Sequence, residues 1–457
     1  MNNRFITCAL ALALLGAGFS SCGDDELPSK GNYTPNKGNT NTDKTDEKTD
    51  GNNTVDASDL WPARVRNAMK DGQFRAAINY EKHPYFRLAC GISVGEICDG
   101  NNPANNVCLE HFDEITFGNA QKYASIVRND GSMDFSNVKR GIDYCKAHNI
   151  TVFGHTLAWH SQQNVTYLKT LVKSGTDEEK KARVQEAMET WIDACMKETK
   201  GYVTCWDAVN EAIAGGGSYN GRDMFVLQGN GNTDPNNLNT ETGVFYWQDY
   251  LGSEDYIPIV FNAARESFES YYGEAKAKHL KLFINDYNLE SDWDDNKKLK
   301  SLIEWIKIWE SKGCYIDGIG TQMHISCYKD AGRLESVKNH IVNMFKLMAA
   351  TGKLCKISEL DMGYNRGDKN NAQYDDLTDA EAQQMADLYE FVVTQYFKII
   401  PPEQQFGITQ WCLADSPKNS GWRAGTPAGF WKLNFTGKWP MFDGFMRGLE
   451  NSADYEK

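Results

Sequence analysis

Residues Ser136–Trp159 read SNVKRGIDYCKAHNITVFGHTLAW, and the stretch changes period halfway. Over Ser136–His148, Val138, Ile142 and Cys145 recur at spacings of four and three, which puts them on one helical face. From Ile150 to Trp159 the run is short, β-branched and aromatic, the composition of a strand. The same two-part unit recurs in both directions. Further strands are expected at Arg87–Val94, Phe112–Phe117, Tyr202–Asn210, Leu282–Tyr287, Gly318–Ile325, Leu354–Leu360 and Phe406–Leu413. Helical patterns lie between them: Glu178–Thr199, with Val184, Ala187, Trp191 and Ala194 on one face, then Leu302–Trp309 and Ala380–Phe397. Strand and helix alternating through eight units predict an α/β fold, a closed (β/α)8 TIM barrel. A long doubly wound sheet is the alternative, but no Gly-rich phosphate turn follows the first strand.

Such a barrel typically needs about 250 residues and exceeds 400 only with insertions. The chain has 457, and the barrel domain is expected over 59–457. The surplus falls after strands, at Cys98–Cys108, Ala214–Ser253, Gly363–Asp379 and Asp415–Gly429. These are long βα loops, which crowd the C-terminal face where barrels keep their sites. The longest carries Tyr219, Phe225, Tyr246 and Trp247, either as walls of a cleft or as a surface flap.

The first 58 residues have another character. Arg4 precedes a short apolar run, Ala9–Phe19, the pattern of an export signal and too short for a spanning helix of about 20 residues. Phe19-Ser20-Ser21-Cys22 resembles the lipobox of bacterial lipoproteins, which implies cleavage after residue 21 and acylation of Cys22. Asp24-Asp25-Glu26 resembles signals that send some lipoproteins to the outer face of the outer membrane. From 22 to 58 the chain is polar, and between Gly31 and Thr54 it has no Val, Ile, Leu, Met, Phe or Trp. It reads as a disordered tether with a reach of roughly 35 Å. The expected location is therefore the cell surface, held to outer-membrane lipid through the N-terminal anchor. The net charge of −14, or −15 without the leader and its Arg4, argues against nucleic acid as a partner.

Reading the strand ends in order gives Asn119 and Lys122; His155, Trp159 and His160; Asn210 and Glu211; Asn285, Asp286 and Tyr287; Gln322 and His324; Glu359 and Asp361; Trp411 and Asp415. Amides and charges are costly at the inner end of a strand unless they face a wet site. Aromatics make up 12% of the chain, including 12 Trp, enough to floor a groove for sugars as well as fill a core. Glycosidic hydrolysis needs one carboxylic acid at the leaving oxygen and one ionised carboxylate across the ring. Glu211 and Glu359, at the fourth and seventh strand ends, are the expected pair. Asn210 is a donor toward a sugar hydroxyl, and His324 is placed to donate to Glu359 and keep it ionised. Any one of these glutamates alone would suit an ordinary ion pair equally well.

Metal binding is not expected. His155 and His160 are five apart, which on a strand sends them to opposite faces, and no CxxC occurs. His155 is the better substrate contact, with His160 structural. Of the ten domain cysteines, Cys90, Cys145, Cys205, Cys355 and Cys412 lie in apolar contexts suited to small core residues. Cys98 and Cys108 flank a Gly/Asn-rich loop and are the best candidates for a disulfide.

At these residues the sequence resembles glycoside hydrolase family 10, the retaining endo-β-1,4-xylanases. The carriers are Gly154-His155-Thr156-Leu157-Ala158-Trp159-His160-Ser161-Gln162, Trp206-Asp207-Ala208-Val209-Asn210-Glu211, Asn285-Asp286-Tyr287-Asn288, Asp317-Gly318-Ile319-Gly320-Thr321-Gln322-Met323-His324 and Ser358-Glu359-Leu360-Asp361. The resemblance implies a cofactor-free barrel with Glu211 as acid/base and Glu359 as nucleophile, the latter positioned by His324 and Asp361. It implies sugar contacts from Lys122, His155, Trp159, Asn210, Gln322 and Trp411, to which Asn119 and Tyr287 are added as neighbouring strand-end groups. The expected partner is xylan or a xylo-oligosaccharide, and the expected state is a monomer.

The chain departs from the family in two places. Where a glutamate that binds the second non-reducing sugar is usual, Phe117-Gly118-Asn119 has Gly118. The final tryptophan pair, Trp411 and Trp422, stands 11 apart, wider than usual. With the residue matching Gln162, the second indole is expected to crowd out the hydroxymethyl of glucose and favour xylose. Two other readings stay open: a catalytically inactive surface xylan-binding lipoprotein, and a retaining β-1,4-glucanase on the same barrel.

Overall fold

The computed structural model describes residues 69–454 apart from 84, 230, 368 and 369. The leader, the expected anchor Cys22, the tether and the expected domain start at 59 lie outside the described residues. Nine strands follow one another: β1 (Arg87–Ile92), β2 (Glu114–Phe117), β3 (Thr151–Ala158), β4 (Cys205–Asn210), β5 (Lys281–Asp286), β6 (Gly318–Thr321), β7 (His324–Tyr328), β8 (Leu354–Asn365) and β9 (Gln405–Gln410). Each pairs in parallel with its neighbours. The ring closes because β1 pairs with both β2 and β9, while β6 reaches across to β8.

Nine strands make eight barrel positions, because β6 and β7 share one. Both pair with β8, first Gly318 with Leu354 and then His324 with Asp361. The single strand expected over Gly318–Ile325 is broken at Gln322–Met323. Met323 adopts a left-handed φ of 54°, and the Gln322 amide turns to the Asp286 carbonyl at 3.0 Å. That second pairing also carries β8 to Asn365, beyond the expected end at Leu360. The protein is a (β/α)8 barrel.

Outer helices cover the ring at Ser136–Ala147, Asp177–Glu198, Tyr256–Ala277, Lys297–Ser311, Ala331–Ala349, Asp379–Ile399 and Pro440–Glu450. Two start with capping boxes, Thr176 with Glu179 and Thr378 with Glu381, so their first amides are satisfied locally. Among the described residues no helix is long and apolar enough to cross a membrane.

The barrel interior is layered. At the N-terminal ends of the strands, Phe153, Cys205, Phe283 and Phe406 form a separate apolar cluster. Beside it Arg87 and Lys356 both bind Glu114, at 2.8 and 3.0 Å, with all three side chains 4% exposed or less. This plug closes the floor and leaves the opposite mouth for chemistry.

Two expectations about the connections need correction. Cys98–Cys108 is not one irregular loop, since a helix capped by Asn102 runs over Pro103–His111. That helix turns Cys108 inward to lie 3.4 Å from Cys90 Sγ, while Cys98 Sγ contacts the Arg140 carbonyl. The Cys98–Cys108 disulfide is therefore not formed. The aromatics of the longest loop mostly pack inward: Phe225 and Trp247 are buried, and Tyr219 lies against Trp305.

Candidate active site

The acid pair is built on the ends of β4 and β8. Just past β4, Glu211 has a left-handed φ of 55°. Its amide donates to the Asn285 carbonyl at 2.8 Å and its carbonyl accepts from Gln228 Nε2 at 2.9 Å, so the unusual backbone is held from two sides. Glu211 Oε1 accepts from Gln322 Nε2 at 3.0 Å, and Asn210 Nδ2 stands 3.4 Å away. Asn210 Oδ1 accepts from Asn285 Nδ2 at 2.9 Å and from Gln322 Nε2 at 3.2 Å. The same Asn285 Nδ2 donates to Glu359 Oε1 at 3.0 Å, and Ser358 Oγ holds Asn285 Oδ1 at 2.6 Å. A relay of amides thus spans the barrel mouth from one glutamate to the other.

Glu359 is buried, and its other oxygen meets His324. Nε2 of that ring is 3.2 Å from Glu359 Oε2, and Nδ1 is 2.9 Å from Asp361 Oδ1. Burial disfavours the imidazolium, but the two carboxylates outweigh it and lift His324 to about 9. It is therefore charged at neutral pH and donates through both nitrogens. Burial pushes the Glu359 carboxyl up, yet the His324 hydrogen bond and the charges of His155, His324 and Lys122 hold it below the ordinary glutamate range. Asp361 is fully buried and would rise for the same reason. Arg423, His324 and the Trp422 indole bring it instead to about 2. Arg423 Nε and Trp422 Nε1 reach its two oxygens at 2.6 and 2.7 Å. One glutamate is thus kept ionised by a charged histidine, itself anchored by a carboxylate with two further donors.

The expected sugar contacts surround this pair. Trp411 lies edge-on to His155 and His324, with ring centroids 5.8 and 6.4 Å away. Gly91 packs beneath it so closely that an added Cβ would sit 2.8 Å from the Trp411 carbonyl oxygen. Trp422 is 39% exposed, and its ring meets His324 at 4.5 Å. On the opposite wall Lys122 Nζ donates to Asn119 Oδ1 at 3.1 Å and Gln162 Oε1 at 2.6 Å, and stands over the Trp159 ring at 5.0 Å. Burial lowers Lys122 to about 8, against the pull of Glu359 and Glu211. The Trp159 indole N–H is buried without a protein partner, a donor left for a ligand. Tyr287 sits beneath Lys298 Nζ, 3.2 Å from its ring centroid, and Lys298 pairs with Asp286 at 2.7 Å. His160 stacks on Tyr246 at 5.3 Å and lies edge-on to Trp159 at 6.0 Å.

His155, Asp207 and Glu359 offer ligand atoms within 4.8 Å of one another, close enough to raise the question of a cation. Those atoms already serve each other and their neighbours. His155 Nδ1 binds Asp207 Oδ2 at 2.8 Å, and both Glu359 oxygens accept hydrogen bonds from Asn285 and His324. The arrangement orients a histidine beside a carboxylate. Asp207, Asn285, Ser358 and Arg423 were not among the expected site residues. Asn285 was visible as a polar strand end. Arg423 lies in an irregular loop, where no period signals which way a side chain turns.

A search of protein families matches "Glycosyl hydrolase family 10" over residues 78–444. Among curated proteins, the chain is 28% identical over 321 residues to "Endo-beta-1,4-xylanase Xyn10C" of Cellvibrio japonicus, covering 69% of this chain and 46% of that one. It is 26% identical over 363 residues to "Endo-1,4-beta-xylanase A" of Caldicellulosiruptor saccharolyticus, covering 78% and 88%. The chain spans less than half the length of several curated relatives it matches, at 46%, 27% and 24%. Among solved structures, xylanase B from Clostridium stercorarium F9 superposes with a TM-score of 0.63 at 24% identity, covering 82% of this chain and 99% of that one. That likeness speaks to the barrel. With the family match extending over most of the described residues, the chain belongs to glycosyl hydrolase family 10.

Proposed function

We propose that the protein is an endo-β-1,4-xylanase that cleaves xylan by retaining double displacement. The observation that carries the reading is the clamp of His324 on Glu359, which keeps a buried carboxylate ionised and aimed at the mouth. Glu359 attacks the anomeric carbon as the bond to the leaving oxygen breaks, and Glu211 gives that oxygen its proton. Water then attacks the same carbon, Glu211 takes a proton from it, and the ester to Glu359 is released. Asn210, Gln322 and Asn285 hold the two carboxylates in register throughout. Lys122, Trp159 and Trp411 supply donors and an apolar wall for the sugar. The names of the curated relatives support xylan as the substrate.

The test incubates the purified chain with xylan and with a soluble β-1,4-glucan and measures reducing ends. Release from xylan, lost in Glu359→Gln, is the expected result. Binding to xylan without release would favour a capture protein, and equal release from glucan would favour a glucanase. The lipid-anchored, outward-facing location rests on Phe19–Cys22 and the acidic residues after it. Its check is incorporation of radiolabelled palmitate, abolished in Cys22→Ala, together with protease accessibility on intact cells.

A further inference from the structure

Behind the wall that carries Glu211 lies a second buried ion pair. Lys298, in the first turn of the helix Lys297–Ser311, has its Nζ 2.7 Å from Asp286 Oδ1, and both residues are buried. Asp286 ends β5. Alternation along that strand turns it away from the mouth, into which its neighbour Asn285 reaches. A buried pair adds little stability over apolar residues of the same size, so what it touches is the informative feature.

Both partners lead to Glu211. Asp286 Oδ2 accepts from the Ile213 amide at 2.9 Å, two residues past the glutamate, and Oδ1 accepts from the Tyr287 amide at 2.9 Å. Lys298 Nζ lies 3.2 Å from the centre of the Tyr287 ring, and the Tyr287 hydroxyl hydrogen-bonds the Gln228 side chain. Gln228 in turn donates to the Glu211 carbonyl at 2.9 Å from Nε2 and to the Ala212 carbonyl at 2.7 Å from its backbone amide. The left-handed turn at Glu211, which a residue with a Cβ does not favour, is thus gripped through the residues that follow it.

The charges behind the acid are matched as well. His160 bonds the Glu211 backbone, and burial lowers it to about 4, with Lys298 adding to the fall and Asp286 opposing it. The ring is therefore neutral. Burial raises the Tyr287 hydroxyl, and it raises the carboxyl of Glu290, which faces Lys298 from the loop after β5. Burial also pushes the Asp286 carboxyl up, against Lys298 and the Ile213 amide, with Glu211 adding to the rise. On the cleft side Lys122, lowered by burial to about 8, feels both Glu359 and Glu211.

Resting on the xylanase reading above, we infer that Lys298 and Asp286 are a positioning pair for the acid Glu211: Asp286 holds the backbone that aims it, and Lys298 and Asp286 cancel each other's charge behind it. Neither is assigned a contact with the sugar.

The test measures kcat/KM against pH on xylohexaose and on dinitrophenyl β-xylobioside, whose leaving group departs without a proton. Asp286→Asn strands the Lys298 cation, which favours ionised Glu211. The alkaline limb on xylohexaose should therefore fall by about one pH unit. Lys122 titrates in parent and variant alike, so the difference between the limbs reads the pair. Adding Lys298→Met removes the cation and should return the limb to its parent position. This double variant replaces both charges by neutral groups of similar size, a change that buried pairs tolerate. Its weaker grip on Ile213 should still cost about tenfold on xylohexaose and about twofold or less on the dinitrophenyl substrate. A limb unmoved in Asp286→Asn, or one that Lys298→Met does not restore, overturns the inference. So does an equal loss on the two substrates in the double variant, and that comparison decides alone should Asp286→Asn fail to fold. A parent protein that leaves xylohexaose uncut instead overturns the xylanase reading, and the pair's role with it.

Discussion

His324 Nε2 stands 3.2 Å from Glu359 Oε2, and the imidazole that makes this contact is charged at neutral pH because Asp361 grips its other nitrogen. The hydrogen bond is therefore charge-assisted, the stronger kind, and it favours the ionised form of the glutamate. Its consequence is kinetic. If Glu359 must be ionised to attack, the acid limb of kcat/KM reports its titration in the free enzyme. His324→Gln keeps an N–H but removes the charge, and should move that limb upward by about one pH unit, or ~1.4 kcal/mol. A variant that loses rate at all pH values with the limb unmoved would show that His324 shapes the site without tuning the nucleophile.

The same pair of shifts fixes a stability window. His324 is raised from 6.5 to about 9, so its contribution is complete below about 6.5 and is lost as pH climbs through about 9. Asp361 is lowered from 3.8 to about 2, so its contribution is present above 3.8 and is lost as pH falls through about 2. Urea midpoints should therefore decline between pH 6.5 and 9, and less steeply in His324→Gln. Equal slopes in the two proteins would mean that other groups govern the alkaline side.

At the floor of the barrel the electrostatics are structural. Glu114 holds Arg87 and Lys356 at 2.8 and 3.0 Å with essentially no solvent. Its carboxyl would rise by burial, and the two cations hold it down instead. Glu114→Ala strands both cations and should cost about 3–5 kcal/mol in chemical denaturation. Lys356→Met is the informative partner. It leaves the Arg87–Glu114 pair intact and sets an apolar chain beside Phe153, which Lys356 Nζ already approaches at 4.1 Å. It should cost clearly less than Glu114→Ala. If the two variants lose the same stability, the triad acts as one indivisible unit.

How far the sequence disclosed these features depends on whether a period or a spacing carried them. The change of rhythm at Asn149 marks where a helix hands over to β3, and the same change recurs around the barrel. Glu211, Glu359 and His324 are polar groups at strand ends, where alternation makes them conspicuous. The break at Gln322–Met323 has no such mark, because it depends on β7 finding a second stretch of β8 to pair with. The Cys90–Cys108 approach was hidden for a related reason. A Gly/Asn-rich flank suggested a loop, but Asn102 followed by Pro103 starts a helix that rotates Cys108 inward. Arg423 lies in an insertion, and its grip on Asp361 is a tertiary contact across 62 residues.

Trp422 joins these levels. Its Nε1 donates to Asp361 at 2.7 Å, and its ring lies 4.5 Å from His324, yet 39% of it is exposed. Its donor steadies Asp361, and the family resemblance implies a second role for the ring, a wall that crowds out a hydroxymethyl group. Trp422→Phe keeps most of the wall and removes the donor, a charged-acceptor hydrogen bond worth about 1.5–3 kcal/mol. It should lower rates on xylan and on β-1,4-glucan by the same factor. Trp422→Ala removes both, so xylan activity should fall further while the glucan-to-xylan ratio rises about tenfold, equivalent to ~1.4 kcal/mol of relieved crowding. Parallel assays on the two polymers read that ratio directly. A ratio unchanged in Trp422→Ala would leave the indole as support for Asp361 alone and place the choice between xylose and glucose elsewhere, with the Lys122–Gln162 wall next in line.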